Sequence, residues 1–250
     1  MLQATKKQRI DILLTELGFA KSRSRARDML ARGCVRVNGE VVVKAGSVFS
    51  SDMKIHVDDP SKGYVSRAAL KLIAGLDASG FDVSDKYCLD LGSSTGGFTE
   101  VLLERRAMHI FALDVGHGQM ADHISADSRV TNLEKFNARD LTADTIGKTP
   151  QVIVSDMSFI SLRIAAEPAL RLAACDAVCV LLVKPQFEVG RGGIGKGGLV
   201  TDEALVEKTL DDIKLWFSQL PGWSITKFFS APLTGGDGNQ EYLLCGARHV

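Results

Sequence analysis

The rhythm of apolar and polar positions changes near residue 60. Before it the elements are short. Arg9 to Leu17 reads as an amphipathic helix ended by Gly18, and a second helix runs to Leu30 before Gly33. Either Ser22 or Ser24 can act as its N-cap. Cys34–Val37 and Val41–Val43 flank Asn38-Gly39, a strong hairpin signal, and Met53–Val57 reads as a further strand. The segment Asp58-Asp59-Pro60-Ser61-Lys62-Gly63 is polar and rich in breakers, as a linker is. Beyond it, strands at Tyr87–Leu91, Met108–Leu113, Val130–Asn132, Gln151–Ser155, Ala177–Val183, Ser224–Phe229 and Glu241–Cys245 alternate with helices such as Arg67–Ala74, Phe159–Leu172 and Asp202–Gln219. That alternation predicts a doubly wound α/β sheet.

Composition adds a charge asymmetry. Thirty Lys and Arg balance thirty Asp and Glu over 250 residues, yet residues 1–63 hold 12 cations against 7 acids. A basic module joined to a mildly acidic one implies that the first end holds a polyanion. The cations gather on and around the second helix, as Lys21, Arg23, Arg25, Arg27 and Arg32, with Arg36 and Lys44 on the hairpin. A solvated helix face is the plain alternative; the scarcity of balancing acids favours phosphate contact. Five cysteines form no C-x-x-C pair, and Cys88, Cys179 and Cys245 lie within apolar runs, which fits reduced core thiols. No segment resembles a signal peptide or reaches the roughly 20 apolar residues of a membrane helix, so a soluble cytoplasmic protein is expected. The five histidines show no ligand spacing, and no metal is expected.

The chemistry concentrates at predicted strand ends. The apolar run Val178–Val183 stops at Lys184-Pro185, and Asp156 ends the strand before it. Open α/β sheets bind ligands at the carboxyl ends of their strands. Lys184 is either a working lysine or only the strand's exit to solvent. Partial burial there would favour its neutral form and let it accept a proton. The first strand of the sheet leads into Asp90-Leu91-Gly92-Ser93-Ser94-Thr95-Gly96-Gly97-Phe98-Thr99. Its G-x-x-x-G-G spacing is not that of dinucleotide folds. With an acid ahead of it, the turn suits a cationic or zwitterionic ligand head. The next strand runs to Asp114, placed where a ribose diol would hydrogen-bond. A second segment, Gly190-Arg191-Gly192-Gly193-Ile194-Gly195-Lys196-Gly197, nearly spells a P-loop, but Gly197 stands where Ser or Thr is needed. It reads better as a mobile loop over the active site.

Together, the glycine turn and Asp114 resemble the S-adenosylmethionine site of Rossmann-like methyltransferases. In that arrangement the last of seven strands is antiparallel, which brings Glu241 to the same edge, and Lys71 reaches it from the helix before the first strand. The order Lys71, Asp156, Lys184, Glu241 resembles the catalytic tetrad of FtsJ-type ribose 2′-O-methyltransferases. Residues Arg9, Leu13, Ser22 to Arg27, Gly33 and Val35 to Gly39 resemble the S4 RNA-binding domain. Tyr64 to Arg67, Ser155 to Ser161 and Lys184 to Glu188 extend the likeness over the whole chain. The combination resembles the TlyA family, whose members are often labelled hemolysins.

The resemblance implies a seven-stranded Rossmann-like sheet over residues 65–250, a linker at 60–64 and a small α+β S4 domain over residues 1–59. It implies methyl transfer from S-adenosylmethionine to a cytidine ribose in ribosomal RNA. The partners would be that RNA or ribosomal subunits, with no membrane. Lys184 would be the base, helped by burial and the nearby cation of Lys71, with Asp156 and Glu241 orienting. Asp90, Gly92, Ser94, Gly96, Gly97 and Phe98 would face the cofactor's methionine part, Asp114 its ribose, and Asn137 its adenine; Asp156 would also meet its amino group. Arg9, Lys21, Arg23, Arg25, Arg27 and Arg36 would meet RNA. Arg67 is a helix cap, a domain contact or a phosphate contact, and is taken as the last. The family has a longer type acting on both subunits and a shorter one acting on the large; an end soon after the last strand leans toward the shorter. Two rival readings are a lytic membrane-active protein and a non-catalytic RNA-binding scaffold. A methyltransferase acting on a base would want a cysteine nucleophile or prolines after the fourth strand, and Asp156-Met157-Ser158-Phe159 has neither.

Overall fold

The computed structural model describes residues 7–249. The chain forms two compact units, Met1–Lys62 and Gly63–Val250. The first contains β1 (Lys7–Arg9), α1 (Ile10–Glu16), α2 (Arg23–Ala31), β2 (Val35–Val37), β3 (Glu40–Val41), β4 (Val48–Ser50) and β5 (Ile55–Val57). Helix α1 buries Ile10, Leu13 and Leu14, and α2 buries Ala26, Met29 and Leu30, all in one core with Val35 and Val37. Ser22 is the N-cap of α2: its Oγ accepts from the Arg25 amide at 3.2 Å. Asn38 and Gly39 both take positive φ, joining β2 to β3 as the Asn-Gly pair predicts. Two elements differ from expectation. Lys7–Arg9 and Val48–Ser50 pair as an antiparallel ribbon of three residues each, too short to show an alternation.

The second unit contains α3 (Ala69–Ser79), β6 (Tyr87–Leu91), α4 (Gly97–Glu104), β7 (His109–Asp114), α5 (Asp122–Ser125), β8 (Val130–Glu134), α6 (Ala143–Ile146), β9 (Val152–Ser155), α7 (Leu162–Leu172), β10 (Val178–Val183), α8 (Glu203–Ser218), β11 (Trp223–Ser230) and β12 (Tyr242–Arg248). Its seven strands lie in the order β11-β12-β10-β9-β6-β7-β8, and β12 runs antiparallel to both neighbours. This is the Rossmann-like α/β sheet expected from the alternation.

Apolar runs fill these strands because both faces are covered. On one face Val152, Val154, Val180 and Leu182 pack with Leu72 and Leu76 of α3 and Phe98 and Leu102 of α4. On the other, Ile153, Cys179, Leu181 and Val183 pack with Ala166 and Leu170 of α7 and Ile213 and Phe217 of α8. Helix α3 lies very close to β10 at Gly75, where an added Cβ would sit 2.4 Å from Val180 Cγ1. The sheet cysteines are buried, and burial pushes the Cys88 thiol up to about 12 and that of Cys245 to about 11. Among the described residues no helix is long and apolar enough to cross a membrane.

The first unit is braced by a buried carboxylate. Asp59 accepts from Arg32 Nη1 at 2.8 Å and Nη2 at 3.0 Å, and from Ser61 Oγ at 2.7 Å. Burial pushes its carboxyl up, but the bonds from Arg32 and Ser61 outweigh that and hold it at about 2. Its ordinary value is 3.8, so the stabilisation is complete above that pH and is lost as pH falls toward 2. Asp59→Asn should therefore lower the protection of α2 amides at pH 7 and flatten its acid dependence. Hydrogen exchange at pH 7 and pH 3 measures both; equal losses at the two pH values would contradict the assignment.

Candidate active site

Lys184 and Asp156 each follow the last residue of a strand, and the ladder between β9 and β10 ends at Leu181 and Ser155. Their side chains meet just beyond it. Lys184 Nζ lies 2.6 Å from Asp156 Oδ1 and donates to Ser158 Oγ at 2.8 Å. Glu241 precedes Tyr242, which pairs with Val183, so the antiparallel β12 delivers it to the same edge. Lys71, on α3, forms a short ion pair with Glu241, and both side chains are buried. All four line one cavity of about 230 Å³, together with Ser66, Arg67, Phe159 and Gly236. The four residues form two separate ion pairs.

Two expectations change here. The support that Lys71's charge was to give Lys184 is met by a different arrangement, since each lysine is matched by its own carboxylate. The glycine-rich segment 190–197 contributes none of the described lining residues; the wall comes from Gly235 to Asp237, between β11 and β12. Just past that segment the chain is held by Asn239, whose Nδ2 donates to Gly198 O and whose Oδ1 accepts from the Val200 amide.

The glycine turn after β6 has the shape of a cradle. Gly92 has φ of 81°, and an added Cβ would sit 3.1 Å from Asp156 O, so the turn depends on glycine. Gly96 caps α4 and Gly97 opens it, with Phe98 buried behind the turn. Asp114 accepts from the Ser94 amide at 2.8 Å and the Gly116 amide at 2.7 Å. It therefore fixes the turn first, and keeps lone pairs for a diol only beyond those bonds. Asn137, just past β8, caps a short turn: its Oδ1 accepts from the Arg139 amide and Nε. Asp90 accepts from Thr99 Oγ1 at 2.6 Å, while its Oδ1 and the Ser93 hydroxyl are buried with no hydrogen-bond partner in the protein. A carboxylate oxygen and a hydroxyl left unpaired beside such a turn fit a ligand carrying an ammonium group, as S-adenosylmethionine does.

Several site features escaped the sequence reading. Ser158 holds Lys184. Phe159 is 91 % exposed, has φ of 64°, and its ring stands 5.2 Å from that of Phe187 at the cavity's edge. An aromatic in the loop after a strand that ends in Asp is the signal that marks it. Its left-handed backbone also explains why α7 begins at Leu162 and not at Phe159.

In the first unit, Asp11 is fully buried and binds Arg9 Nε at 3.0 Å, Arg23 Nη2 at 3.1 Å and Arg27 Nε at 3.1 Å. The hydrogen bond from Arg9, with those from Arg23 and Arg27, holds its carboxyl well below the usual range despite burial. The three arginine side chains remain about half exposed. Arg25 departs from the expected phosphate contact. Its Nη2 donates to Ser61 Oγ at 2.6 Å and Ser61 O at 2.9 Å, which turns that end of the guanidinium toward the inside of the unit. Lys21 and Arg36 are exposed.

A Rossmann-like sheet with six parallel strands and one antiparallel, a glycine turn and a polar cavity at its carboxyl edge define a methyltransferase fold. The comparisons agree: residues 64–248 match the FtsJ-like methyltransferases and residues 8–55 match the S4 domain. The chain belongs to the FtsJ-like methyltransferase family, in its S4-bearing TlyA branch. It is 42 % identical over 240 residues to the 16S/23S rRNA (cytidine-2′-O)-methyltransferase TlyA of Mycobacterium tuberculosis, covering 96 % of this chain and 89 % of that one. It is 40 % identical to Hemolysin A of Brachyspira hyodysenteriae, covering 94 % and 98 %. A solved Streptococcus thermophilus structure that bears a hemolysin designation superposes with a TM-score of 0.74 at 32 % identity, covering 98 % of this chain and 90 % of that one.

Burial pushes the Asp90 carboxyl up to about 7, aided by the charges of Asp156 and Asp114 and opposed by the Thr99 hydrogen bond. The unfolded chain sheds this proton near 3.8 and the folded chain keeps it, so stability falls as pH rises between those values. Asp90→Asn should flatten that slope. Denaturant midpoints at pH 5 and pH 7 measure it, and an unchanged slope would contradict the assignment.

Proposed function

We propose that this chain methylates the 2′-hydroxyl of a cytidine in ribosomal RNA, in the cytoplasm, with S-adenosylmethionine as donor and Lys184 as general base. The observation that carries the reading is the meeting of Lys71, Asp156, Lys184 and Glu241 in one cavity as two ion pairs. It is supported by the relatives named as ribosomal RNA (cytidine-2′-O)-methyltransferases.

When bound, S-adenosylmethionine supplies a methyl group on a sulfonium sulfur, open to attack by an oxygen nucleophile. The chain's residues prepare that oxygen. A ribose hydroxyl is a very weak acid, so its proton must be drawn off as it attacks. Lys184 Nζ, held by Asp156 and Ser158, first releases its own ion-pair proton to solvent; the neutral amine then takes the hydroxyl proton, and Asp156 balances the ammonium that re-forms. The Lys71–Glu241 pair fixes the opposite side of the hydroxyl. Positioning supplies most of the acceleration and the base about 10²–10⁴-fold. Asp90, Gly92, Ser93, Ser94, Gly96, Gly97 and Phe98 form the wall for the cofactor's methionine end, with Asp114 and Asn137 toward its nucleoside. Phe159 offers the target base an exposed ring for stacking, and Arg67 in the cavity wall meets the phosphate.

Arg9, Arg23 and Arg27, preset by Asp11, hold RNA phosphates together with Lys21 and Arg36. Arg23→Ala and Arg27→Ala should each weaken binding to ribosomal RNA several-fold and reduce its salt dependence, with a small drop in melting temperature, since Asp11 keeps its bonds from Arg9 and from the other arginine. Arg25→Ala should show the reverse, losing stability with little loss of affinity at a temperature where it is folded. Binding isotherms at two salt concentrations separate the cases, and equal affinity loss for all three would contradict the inward role of Arg25.

The catalytic test is transfer of labelled methyl to separated small- and large-subunit RNA, both offered because the tuberculosis relative is named for both. Lys184→Ala should reduce kcat by about 10²–10⁴-fold with little change in the cofactor's KM. Equal labelling by wild type and variant would refute the base; no labelling by wild type would refute the substrate.

A further inference from the structure

The β9–β10 ladder ends at Ser155 and Leu181, β10 stays paired with β12 through Val183, and the Asp156 amide still bonds to Leu91 O; past these points the two segments leave the sheet, and they carry the chemistry. Residues 156–161 bring Asp156, Ser158 and Phe159; residues 184–188 bring Lys184 and Phe187. Lys184 joins the near ends of the two segments through Asp156 and Ser158. A second tie lies at the far end of each.

Glu188 has a side chain only 1 % exposed, yet it is a carboxylate. Its Oε1 accepts from the Leu162 amide at 2.6 Å and its Oε2 from Ser161 Oγ at 2.7 Å, with Arg163 Nε 3.6 Å away. Leu162 N–H, in the first turn of α7, has no intrahelical acceptor and would otherwise be a buried orphan donor. The acceptor comes from 26 residues further along the chain. An anion there is also favoured by the dipole of α7. Burial pushes the Glu188 carboxyl above its ordinary value, against the bonds from Ser161, Leu162 and Arg163. The fold keeps a costly buried group where the far ends of the two segments meet, beyond the contacts of Lys184 with Asp156 and Ser158 and of Phe187 with Phe159.

We propose that Glu188 is a positioning residue for the methyl transfer, clamping the segment that carries Asp156 and Ser158 to the segment that carries Lys184. The proposal rests on the reading of Lys184 as the base. Glu188 touches neither substrate nor cofactor; it sets the distance at which Lys184 meets Asp156 and the incoming hydroxyl. A displacement near 1 Å in such a site costs about a hundredfold in rate. A glutamine can accept from Leu162 and donate to Ser161, so it should keep the clamp, whereas alanine should open it.

The test compares wild type, Glu188→Ala, Glu188→Gln and Lys184→Ala by hydrogen exchange and by single-turnover methylation of ribosomal RNA. Glu188→Ala should speed exchange of the Leu162 amide and its neighbours at least tenfold. It should lower the single-turnover rate by about ten- to a hundredfold while cofactor affinity stays within twofold, and Glu188→Gln should restore both rate and protection. A Glu188→Ala rate within threefold of wild type would overturn the proposal. So would equal impairment of the alanine and glutamine variants, with cofactor affinity falling in parallel, since that is the mark of general unfolding. Unchanged exchange at Leu162 would overturn the clamp itself. If wild type labels no RNA, or Lys184→Ala labels it fully, the methyl-transfer reading falls and the role of Glu188 in it falls too, whatever the exchange data show.

Discussion

Two cations and two anions share a small, half-enclosed cavity, and local charge compensation is the constraint that organises the rest. An ionised group out of bulk water costs several kcal/mol unless an opposite charge is at hand. The sheet meets that demand by register. Parallel strands β9 and β10 end side by side, so their trailing residues Asp156 and Lys184 are within reach of each other. Antiparallel β12 begins where β10 ends, which sets Glu241 beside that pair and opposite α3. Lys71 then finds its counter-ion 170 residues along the chain. A polar cluster of this kind is assembled by topology, since no local segment contains a complete pair.

Much of this was legible in the sequence for physical reasons. Lys184 and Asp156 follow continuous apolar runs, and a charge at the end of such a run has only the sheet edge to occupy. The glycine turn after Tyr87–Leu91 was legible because a strand followed by spaced glycines permits few backbones. Glu241 was different: it became visible only once the last strand was assigned an antiparallel direction, by resemblance. The three-residue strands β1 and β4 were not legible, because their pairing is non-local and their length carries no period. Glu188, Ser158 and the wall from Gly235 to Asp237 were also hidden, since nothing in a loop's composition reports which other loop it meets.

The basic face of the S4 unit shows a related limit. Sequence counts Arg9, Arg23, Arg25 and Arg27 as equivalent cations. Folding divides them by the acids they reach: Asp11 gathers three and leaves them half exposed, while Asp59 and Ser61 draw the fourth inward. Charge patterning along a chain therefore gives the sign of a surface, and tertiary pairing decides which charges belong to it.

The close approach of α3 to β10 has a consequence for how Lys71 is placed. Gly75 stands one turn after Lys71 on the same helix face, and its missing side chain is the space that Val180 fills. Any methyl group at that position would act as a spacer under the helix, lifting its axis away from the sheet. Lys71 rides on that helix while Glu241 rides on the sheet, so the spacer would work as a lever on their ion pair. The tolerance of position 75 is thus set jointly by packing and by reach, and one hydrogen atom there serves as a gauge block for the Lys71–Glu241 pair.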